Sequence, residues 1–469
     1  MSSAGYADPL RQGDDLGCAS MRAAQSAKPP APVPDAESMM ALLKRLWPLN
    51  RNILGAASEQ ALEIIGQYLP QHHDWRILRY PSGQKCWTWT IPENYVLDEA
   101  YLDLLTSDGP RRVLDAKDHP LHILSYSPSV TCEIGFGELA QHLHHNPNCP
   151  KAIPWAFKFY ERDWGFCLSE EAFQALPRDG RYRVVIKSRF TSGHLPVGEL
   201  TIPGETDEYL LLIHDICHPC QVNDSISGTV VAVDVARILA SRPRGRYGLK
   251  IVFLPETIGA LAYLSANEDL IGKIRFAFNA DMVGNDSPLR MQRSRQDNSL
   301  IDQVARQVAR DALGENFQDD PYCHVFGNDE KVTNAPGVDI PTVAFNRWPF
   351  LQYHTSDDTP DIIVPENLEQ VVRLYVNIID ILQADYYPRR QYKGLLFVSG
   401  LDLDFDWTET VNQKRRLMQV LGLLEGDLSI FQIASRVGLD FYLVKRFIDA
   451  MKDKGAVKAF YSPYSDVDG

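Results

Sequence analysis

The sequence contains no long apolar run and no segment typical of a targeting signal. None of its apolar runs approaches the roughly 20 residues that a helix needs to span a bilayer. The first twenty residues, MSSAGYADPLRQGDDLGCAS, lack the apolar core of a secretory signal peptide. We therefore expect a cytoplasmic protein without a membrane partner.

Cysteine and positive charge are also scarce. The 469 residues include eight cysteines, which are dilute for this length and show no disulfide framework. Lysine and arginine total 47 against 61 aspartates and glutamates, which gives a formal net charge of −14. Because nucleic acids and membrane surfaces are polyanionic, this balance argues against a general binder of either. A chain of this length is expected to form two or three domains.

Changes in composition along the chain predict its domain organisation. Residues 1–37 are rich in Ala, Ser, Pro and Gly and are predicted to be a disordered tail. Residues 38–90 and 151–393 are predicted to form one catalytic domain, which a small β-rich insertion at 91–150 interrupts. Residues 394–469 carry three helical stretches and then a strand-like segment, the order of elements in a winged helix-turn-helix domain.

Buried strands alternate with helices in the predicted catalytic domain. Four apolar stretches are typical of buried strands: EYLLLIHD at 208–215, KIVFLPE at 250–256, KIRFAFNADMVG at 273–284 and VDIPTVAF at 338–345. This alternation predicts an α/β fold, a three-layer α/β/α sandwich around a mixed, largely parallel sheet. Ligands of such folds bind outside the carboxyl ends of the strands.

Histidines and carboxylates follow these strands at one edge of the predicted sheet. They are His214, His218 and Asp224 after the first strand, Glu256 after the second, Asp281 after the third and His354 after the fourth. Histidine nitrogen and carboxylate oxygen form a ligand set suited to Zn²⁺. A further carboxylate can serve as general base towards a metal-bound water. The pattern predicts a metal site.

Several of these residues also have ordinary structural interpretations. Cys217 and Cys220 match the CxxC spacing of a redox pair, although a loop rather than a helix follows them. Asp224 is a candidate N-cap of the following helix, with Ser225 as its rival. Glu256 is a candidate cap of the next helix. The metal interpretation requires that all of these groups meet at one end of the sheet.

Four motifs in this order resemble those of the M28-type zinc aminopeptidase family. They are H-P-x(4)-D-x(3)-G from His218, P-E-T-I-G from Pro255, N-A-D-M-V-G from Asn279 and Y-H-T-S-x-D-T-x-D from Tyr353. The resemblance covers residues 38 to 463 and is strongest to aminopeptidase-like proteins with an inserted β domain and a C-terminal winged helix. It implies the phosphorylase/hydrolase-like α/β fold and the hydrolysis of amide bonds.

The resemblance implies a role for each matching residue. His218, Asp224 and His354 are implied metal ligands, and Asp224 is able to bridge two ions. His214 is a rival first ligand because it is closer to the strand. Glu256 is the implied general base, which takes a proton from the metal-bound water.

The chain departs from the two-zinc members of that family at one position. Those members carry a second Glu directly after the base, where this chain has Thr257. Because a hydroxyl supplies no negative charge, we expect one zinc ion held by His218, Asp224 and His354, with a second ion weak or absent. Asp281 is then either a fourth ligand or a partner that orients His218, and the sequence leaves both open.

We therefore predict a zinc-dependent, aminopeptidase-like hydrolase of peptides or small amides, with Glu256 as general base. Asp329 and Glu330, in FGNDEKV, are candidates for binding a free α-amino group, with a solvated turn as the alternative. Tyr353 is a candidate for supporting the oxyanion, with simple packing as the alternative. The inserted domain is expected either to narrow access to the site or to form the interface of a homo-oligomer.

Two other functions stay open. One is an amidase or deacylase that acts on a modified small molecule in a biosynthetic pathway. The other is a metal-holding scaffold whose winged helix binds DNA or protein. Basic residues of the last helix and wing suit phosphate contacts, while acidic neighbours weaken their field. The histidines of HLHHNP, at 142, 144 and 145, are expected at an exposed polar helix end rather than in a metal cluster.

Overall fold

The computed structural model describes residues 28–314, 317–325, 327–401 and 411–463. Residues 1–27 of the predicted disordered tail, and residues 402–407 of the predicted linker, lie outside the described residues. The chain forms two compact units, a larger one over Pro32–Ile378 and a smaller one that includes the described residues from Ile379 onward.

The strands are numbered here in chain order. They are β1 (Asp74–Pro81), β2 (Lys85–Cys86), β3 (Trp89–Thr90), β4 (Asn94–Thr106), β5 (Gly109–Asp115), β6 (Val130–Gly135), β7 (Leu143–His144), β8 (Phe166–Cys167), β9 (Arg181–Thr191), β10 (His194–Ile202), β11 (Tyr209–Asp215), β12 (Gly248–Leu254), β13 (Ile274–Ala280), β14 (Arg290–Gln292), β15 (Gln318–Asp320), β16 (Thr342–Asn346), β17 (Tyr387–Arg390) and β18 (Val457–Phe460).

The α-helices are identified by their ranges. They span Ala36–Leu46, Ala56–Tyr68, Phe136–Leu139, Glu170–Gln174, Ile226–Ala240, Ile258–Ala266, Glu268–Ile271, Leu300–Leu313, Glu330–Thr333, Pro365–Ala384, Val411–Leu421, Ile430–Val437 and Phe441–Asp453. Within the ranges that the structure covers, none of these helices combines the length and apolarity needed to cross a membrane.

Eight strands of the larger unit form one mixed sheet in the order β1-β10-β12-β11-β13-β16-β14-β15. The central strands β12, β11, β13 and β16 are parallel to one another. Antiparallel pairs flank them on both sides, β1 with β10 and β10 with β12 on one, β16 with β14 on the other. The predicted α/β fold with a large mixed sheet is confirmed.

Both faces of the central strand β11 are covered, as expected for a parallel strand. Leu211 and Ile213 pack into an apolar cluster that includes the helix Ile258–Ala266. His214 lies on the other face, beside the helix Ile226–Ala240. There Gly228 approaches so closely that an added Cβ would lie 1.7 Å from the carbonyl oxygen of Ala280. Glycine at this position therefore lets the helix, and the loop before it, reach the end of β13.

A second, antiparallel sheet of the larger unit has the order β5-β4-β9-β6. Its strand β9 lies outside the predicted insertion of 91–150. It nevertheless belongs to the same sheet as β4, because the two strands pair along their length, from Asn94 opposite Thr191 to Leu105 opposite Arg181. Alternate residues of both strands, Leu102, Leu104, Tyr182 and Val184 among them, fill its apolar core. The four-stranded sheet therefore reaches further along the chain than the composition change indicates.

The smaller unit contains the last three helices, followed by β18, which pairs antiparallel with β17. The helix Ile430–Val437 begins with a capping box between Ser429 and Gln432 and ends at Gly438, whose φ of 65° suits glycine. The winged helix interpretation of this unit stays a prediction.

Candidate metal centre

His218 lies on the loop between β11 and the helix Ile226–Ala240, and it is 4% exposed. Its Nε2 faces other predicted ligands, at 3.8 Å from Asp224 Oδ1. His214 is also buried, but its Nδ1 lies 3.1 Å from the carbonyl oxygen of Ala280. The structure thus groups His218, and not His214, with Asp224 and His354.

Asp224 and His354 meet although 130 residues separate them in the sequence. Asp224 Oδ2 is 3.1 Å from His354 Nε2, yet neither atom has a hydrogen-bond partner of acceptable geometry within the described part of the chain. Tetrahedral Zn²⁺, with ligand distances of about 2.0–2.2 Å, separates neighbouring ligand atoms by about 3.4 Å. The separations between these three side chains therefore fit a cation that lies among them.

The backbone of the Asp224 loop is held by Asp358. Asp358 accepts hydrogen bonds from the N–H groups of Asn223, at 2.8 Å, and Asp224, at 3.1 Å. The following helix begins at Ile226 with Ser225 at its N-cap position. Asp224 is therefore not the helix cap, and its carboxylate lies against the two histidines instead.

His354 is fixed by aromatic residues on both sides. The N–H of Trp155 donates to the His354 carbonyl at 2.7 Å, and the Trp155 ring meets both His218 and His354 edge-on, at centroid distances of 4.3 and 4.7 Å. The ring of Tyr353 stacks on His354 at 3.9 Å. Burial, followed by the charge of Asp224, raises the pKa of Tyr353 above its usual range. The phenol therefore stays protonated at neutral pH.

Glu256 directly follows Pro255 at the end of β12. Its Oε2 lies 3.5 Å from His218 Nε2, and its side chain is 25% exposed, so that it can be reached from solvent. Partial burial raises the pKa of Glu256 to about 8, and the charges of Asp215 and Asp224 add to this effect. A carboxyl group with a raised pKa beside candidate ligands is suited to general acid–base chemistry.

Asp281 lies at the same strand edge, but both of its oxygens are engaged. Oδ1 accepts from the N–H of Met282 at 2.7 Å, and Oδ2 accepts from Asn328 Nδ2 at 2.8 Å. The same amide nitrogen donates to Asp215 Oδ1 at 3.2 Å. One amide group therefore joins two buried carboxylates, and oxygens of Asp281, Asp215 and Asp224 also lie within 4.8 Å of one another, close enough to share a cation.

Asp329 and Glu330 are buried and hold neighbouring backbone. Asp329 Oδ1 accepts from the N–H of Thr257 at 2.7 Å. Glu330 accepts from Gln292 Nε2 at 3.0 Å and from the N–H of Asn328 at 2.8 Å. The two side chains are 0% and 1% exposed, so this placement does not favour the predicted binding of an α-amino group or a solvated turn.

The CxxC cysteines do not form a disulfide in this structure. Cys217 Sγ lies 3.2 Å from His218 Nδ1 and accepts a hydrogen bond from the N–H of Glu256 at 3.2 Å. Burial raises the pKa of the Cys217 thiol well above its usual range. This thiol therefore supports the ring of His218 and is unsuited to act as a redox-active thiolate.

Four residues of the site were not predicted from the sequence: Arg51, Trp155, Asn328 and Asp358. Asp358 belongs to the Y-H-T-S-x-D motif and Asn328 to FGNDEKV, so both stood beside predicted site residues. Arg51 precedes the first strand and carried no signal. Its guanidinium binds the carbonyl groups of His218 and Gln221.

Carboxyl groups are concentrated at this edge of the sheet. Six of them are buried: Asp215, Asp224, Asp281, Asp329, Glu330 and Asp358. Burial raises the pKa of five, to about 7 for Asp215 and Glu330 and about 8 for Asp358. Burial would also raise the pKa of Asp224, but its interactions with His218 and His354 outweigh burial and lower the pKa below its usual range. A bound cation would offset the repulsion between these carboxylates. The nitrogen and oxygen donors of His218, Asp224 and His354 fit zinc.

Comparison with known proteins relates this chain to a family and to one long relative. The family model described as "Domain of unknown function (DUF4910)" matches residues 40–385. A Clostridium acetobutylicum protein, named for polysaccharide biosynthesis and an aminopeptidase-like domain, is 29% identical over 421 residues. The alignment covers 87% of this chain and 93% of that protein.

Solved structures share the fold. A Clostridium acetobutylicum crystal structure, named as that of a peptidase, has a TM-score of 0.76 at 26% identity and covers 95% of this chain and all of that one. BSAP, a zinc aminopeptidase from Bacillus subtilis, has a TM-score of 0.57 at 15% identity and covers 73% of this chain and 93% of that one. The predicted M28-type fold is confirmed.

Proposed function

The chain belongs to the DUF4910 family and has the M28-type peptidase fold, and we propose that it is a zinc-dependent hydrolase of amide bonds. The observation that carries this proposal is the meeting of His218, Asp224 and His354, whose ligand atoms all lie within 4.8 Å of one another. The relatives named as a peptidase and as having an aminopeptidase-like domain support the same reaction class.

We propose that His218, Asp224 and His354 hold the ion. When bound, Zn²⁺ polarises the substrate carbonyl and lowers the pKa of water in the site. Asp358 keeps the Asp224 loop in place through two backbone N–H groups. Asn328 keeps Asp281 engaged through Oδ2. From the absence of a second carboxylate at Thr257 we propose a single ion with three protein ligands.

Glu256 is the proposed proton carrier. Its carboxylate accepts a proton from the attacking water and returns it to the leaving amine, a contribution on the order of 10²–10⁴ in rate. The hydroxyl of Tyr353, which burial keeps protonated, is proposed to donate to the oxyanion that develops on the carbonyl oxygen.

A second candidate is an amidase or deacylase that does not require a free α-amino group. The engagement of Asp329 with Thr257, and of Glu330 with Gln292, favours it. Both carboxylates are buried, and Glu330 accepts through both of its oxygens and Asp329 through Oδ1, whereas an aminopeptidase needs an accessible anionic group for the substrate ammonium. The name of the Clostridium acetobutylicum relative, which refers to polysaccharide biosynthesis, also supports a substrate other than a peptide.

The test combines metal analysis with a substrate panel. The protein, loaded with zinc, is assayed against aminoacyl anilides and against N-acyl amides. We expect Glu256→Gln to retain zinc and to lose turnover, because the amide side chain cannot accept the proton. Glu63→Gln, at an exposed carboxylate of the same unit, serves as the control and keeps full activity. Undiminished hydrolysis by Glu256→Gln would overturn the assignment.

A further inference from the structure

Exposed aromatic side chains of the larger unit are concentrated in two short segments. Trp87 and Trp89, in the β2–β3 hairpin, are 39% and 42% exposed, and Phe157 and Tyr160 are 41% and 52% exposed. The segments touch, since the rings of Trp89 and Tyr160 meet edge-on at 5.8 Å. Single exposed apolar residues need no explanation, but a group of four in contacting segments indicates a binding surface. These four residues are called the aromatic platform below.

The aromatic platform adjoins the candidate metal centre. The ring of Phe157 lies 6.2 Å from that of His354 and 4.6 Å from that of Trp155. Trp155 in turn contacts both His218 and His354. A substrate whose amide lies at the metal ligands would therefore place its neighbouring group against Phe157.

Two of the three polar side-chain atoms of the aromatic platform are already committed within the protein. Tyr160 Oη donates to the carbonyl oxygen of Thr90 at 2.9 Å, and Trp87 Nε1 donates to Glu268 Oε1 at 2.7 Å. What these residues present to a ligand is ring surface. Such surface suits a flat group with polarised C–H bonds on its faces, as pyranose rings have.

Most charged residues beside the aromatic platform are paired with one another, and Lys85 of the hairpin donates to Thr90 Oγ1 at 2.9 Å instead. Lys158 Nζ lies 2.8 Å from Asp163 Oδ2 and 3.2 Å from Glu161 Oε2, and Arg162 pairs with Glu93. These pairs leave little net charge for an ionic ligand. A neutral saccharide fits a surface that offers exposed aromatic rings and whose neighbouring charges are mostly paired.

We propose that the aromatic platform binds a neutral saccharide ring and that the substrate is an N-acylated amino sugar. This inference rests on the proposed amide hydrolysis at the same centre. Water adds to the acyl carbon, the bond between that carbon and nitrogen breaks, and the nitrogen leaves with a proton. The products are a carboxylic acid and the free amino sugar, so that no oxidant, reductant or further reactant is needed.

The experiment measures binding without turnover. Full-length Glu256→Gln protein, loaded with zinc, is titrated with N,N′-diacetylchitobiose by calorimetry, and with an N-acetylated Phe-Phe dipeptide amide for comparison. We expect the disaccharide to bind and the affinity to fall about two- to tenfold in each of the added variants Trp89→Ala and Tyr160→Ala, as for the loss of one ring contact. Tyr461→Ala, at a tyrosine of the smaller unit that is 51% exposed, is the matched control and leaves the affinity unchanged.

Three outcomes would overturn the inference. The first is no binding of the disaccharide, the second is binding that Trp89→Ala and Tyr160→Ala leave unchanged, and the third is binding of the dipeptide alone. Sedimentation of the same variants tests whether a second copy of this chain occupies the aromatic platform instead. A dimer that Trp89→Ala dissociates would make the platform an interface between copies and would also overturn the inference. The proposed hydrolysis is judged separately, by turnover of unsubstituted protein on the amide panel, so that either proposal can fail alone.

Discussion

Nη2 of Arg51 donates a hydrogen bond to the carbonyl oxygen of His218 at 2.6 Å. The same nitrogen lies 2.8 Å from the carbonyl oxygen of Gln221, and the side chain is 0% exposed. His218 has a φ of 76°, a backbone conformation that residues other than glycine adopt only where their surroundings favour it. We infer that Arg51 holds the loop in the conformation that directs His218 to Asp224.

Arg51→Lys is expected to weaken zinc binding. The lysine side chain is shorter, so its ammonium nitrogen cannot reach the position from which Nη2 contacts both carbonyl groups, and it cannot also replace Nη1, which donates to the carbonyl oxygen of Leu46 at 3.5 Å. Loss of a group that orients a metal ligand typically costs about 10–100-fold in metal affinity. Competition with a chromophoric chelator measures the affinity, and the absorption spectrum of Co²⁺-loaded protein reports the ligand geometry.

Arg347→Lys is the matched control for this change. Arg347 is also buried, it donates to the carbonyl groups of Val283, at 3.0 Å, and Ser287, at 2.6 Å, and burial lowers the pKa of both arginines to about 10. We expect a comparable loss of stability with unchanged zinc affinity and Co²⁺ spectrum. Equal losses of affinity in the two variants would show that Arg51 acts only on folding.

Asp224→Asn is expected to abolish zinc binding, because Asp224 is the one carboxylate among the three proposed ligands. Purified wild-type protein should contain about one zinc ion per chain by mass spectrometry, and chelation should lower its melting temperature. Asp224→Asn should contain none, and chelation should leave its melting temperature unchanged. The control Asp357→Asn changes an exposed carboxylate in the segment after His354, and it should behave as wild type. Two ions per chain would contradict the argument from Thr257.

Asn328→Asp is expected to destabilise the metal-free protein. The substitution removes a donor that Asp215 and Asp281 share, and it adds a third carboxylate beside them. A buried charge without a partner costs about 3–5 kcal/mol. Denaturation by urea measures the loss, and added divalent cation should reverse part of it because the new oxygen can bind a cation.

Asn334→Asp provides the comparison for Asn328→Asp. Asn334 is likewise buried and donates through Nδ2 to the carbonyl groups of Glu330 and Thr342 rather than to carboxylates. It should also be destabilised, but divalent cation should not restore it. Similar recovery of both variants by cation would refute the role assigned to Asn328.

The parts of the site that could be predicted from the sequence lie directly after buried strands. Apolar runs fixed the positions of β11, β12 and β13, and parallel strands bring their carboxyl ends to one edge. Glu256 and Asp281 follow two of these ends, so their proximity could be inferred without knowledge of any contact. His354 depends on a longer loop, and only its motif suggested that it would reach Asp224.

The parts that could not be predicted depend on side-chain direction and on distant partners. Asp329 and Glu330 are adjacent acidic residues in a polar stretch, and this pattern is typical of an exposed turn. Their burial follows from backbone N–H groups of Thr257 and Asn328 that need acceptors, and periodicity does not reveal such needs. Arg51 acts from a segment without apolar periodicity, so no local pattern marked it.

The proposed role of the smaller unit in binding DNA can be tested through Asp449. Lys445 and Lys452 of the helix Phe441–Asp453 both face this carboxylate, at 2.5 and 3.4 Å. We expect no duplex binding by the full-length chain at physiological salt, because Asp449 offsets these two charges. Asp449→Asn should bind more tightly at low salt, with a steeper dependence on salt concentration. Tight, salt-dependent binding by the wild type would contradict this expectation.

Asp385, in the smaller unit, is expected to make local stability depend on pH. Its carboxyl group is buried and accepts from the N–H of Phe431 at 3.0 Å, and burial raises its pKa to about 6. In the unfolded chain the pKa is about 3.9, so the folded state binds the proton more tightly. The stabilisation is therefore complete below about pH 4 and is lost as the pH rises through about 6, a change of about 3 kcal/mol.

Hydrogen exchange of the helix Ile430–Val437, corrected for the intrinsic rate, measures this change in local stability. Asp385→Asn keeps an acceptor for Phe431 and cannot titrate, so its profile should be flat over this range, and parallel profiles of the two proteins would refute the assignment.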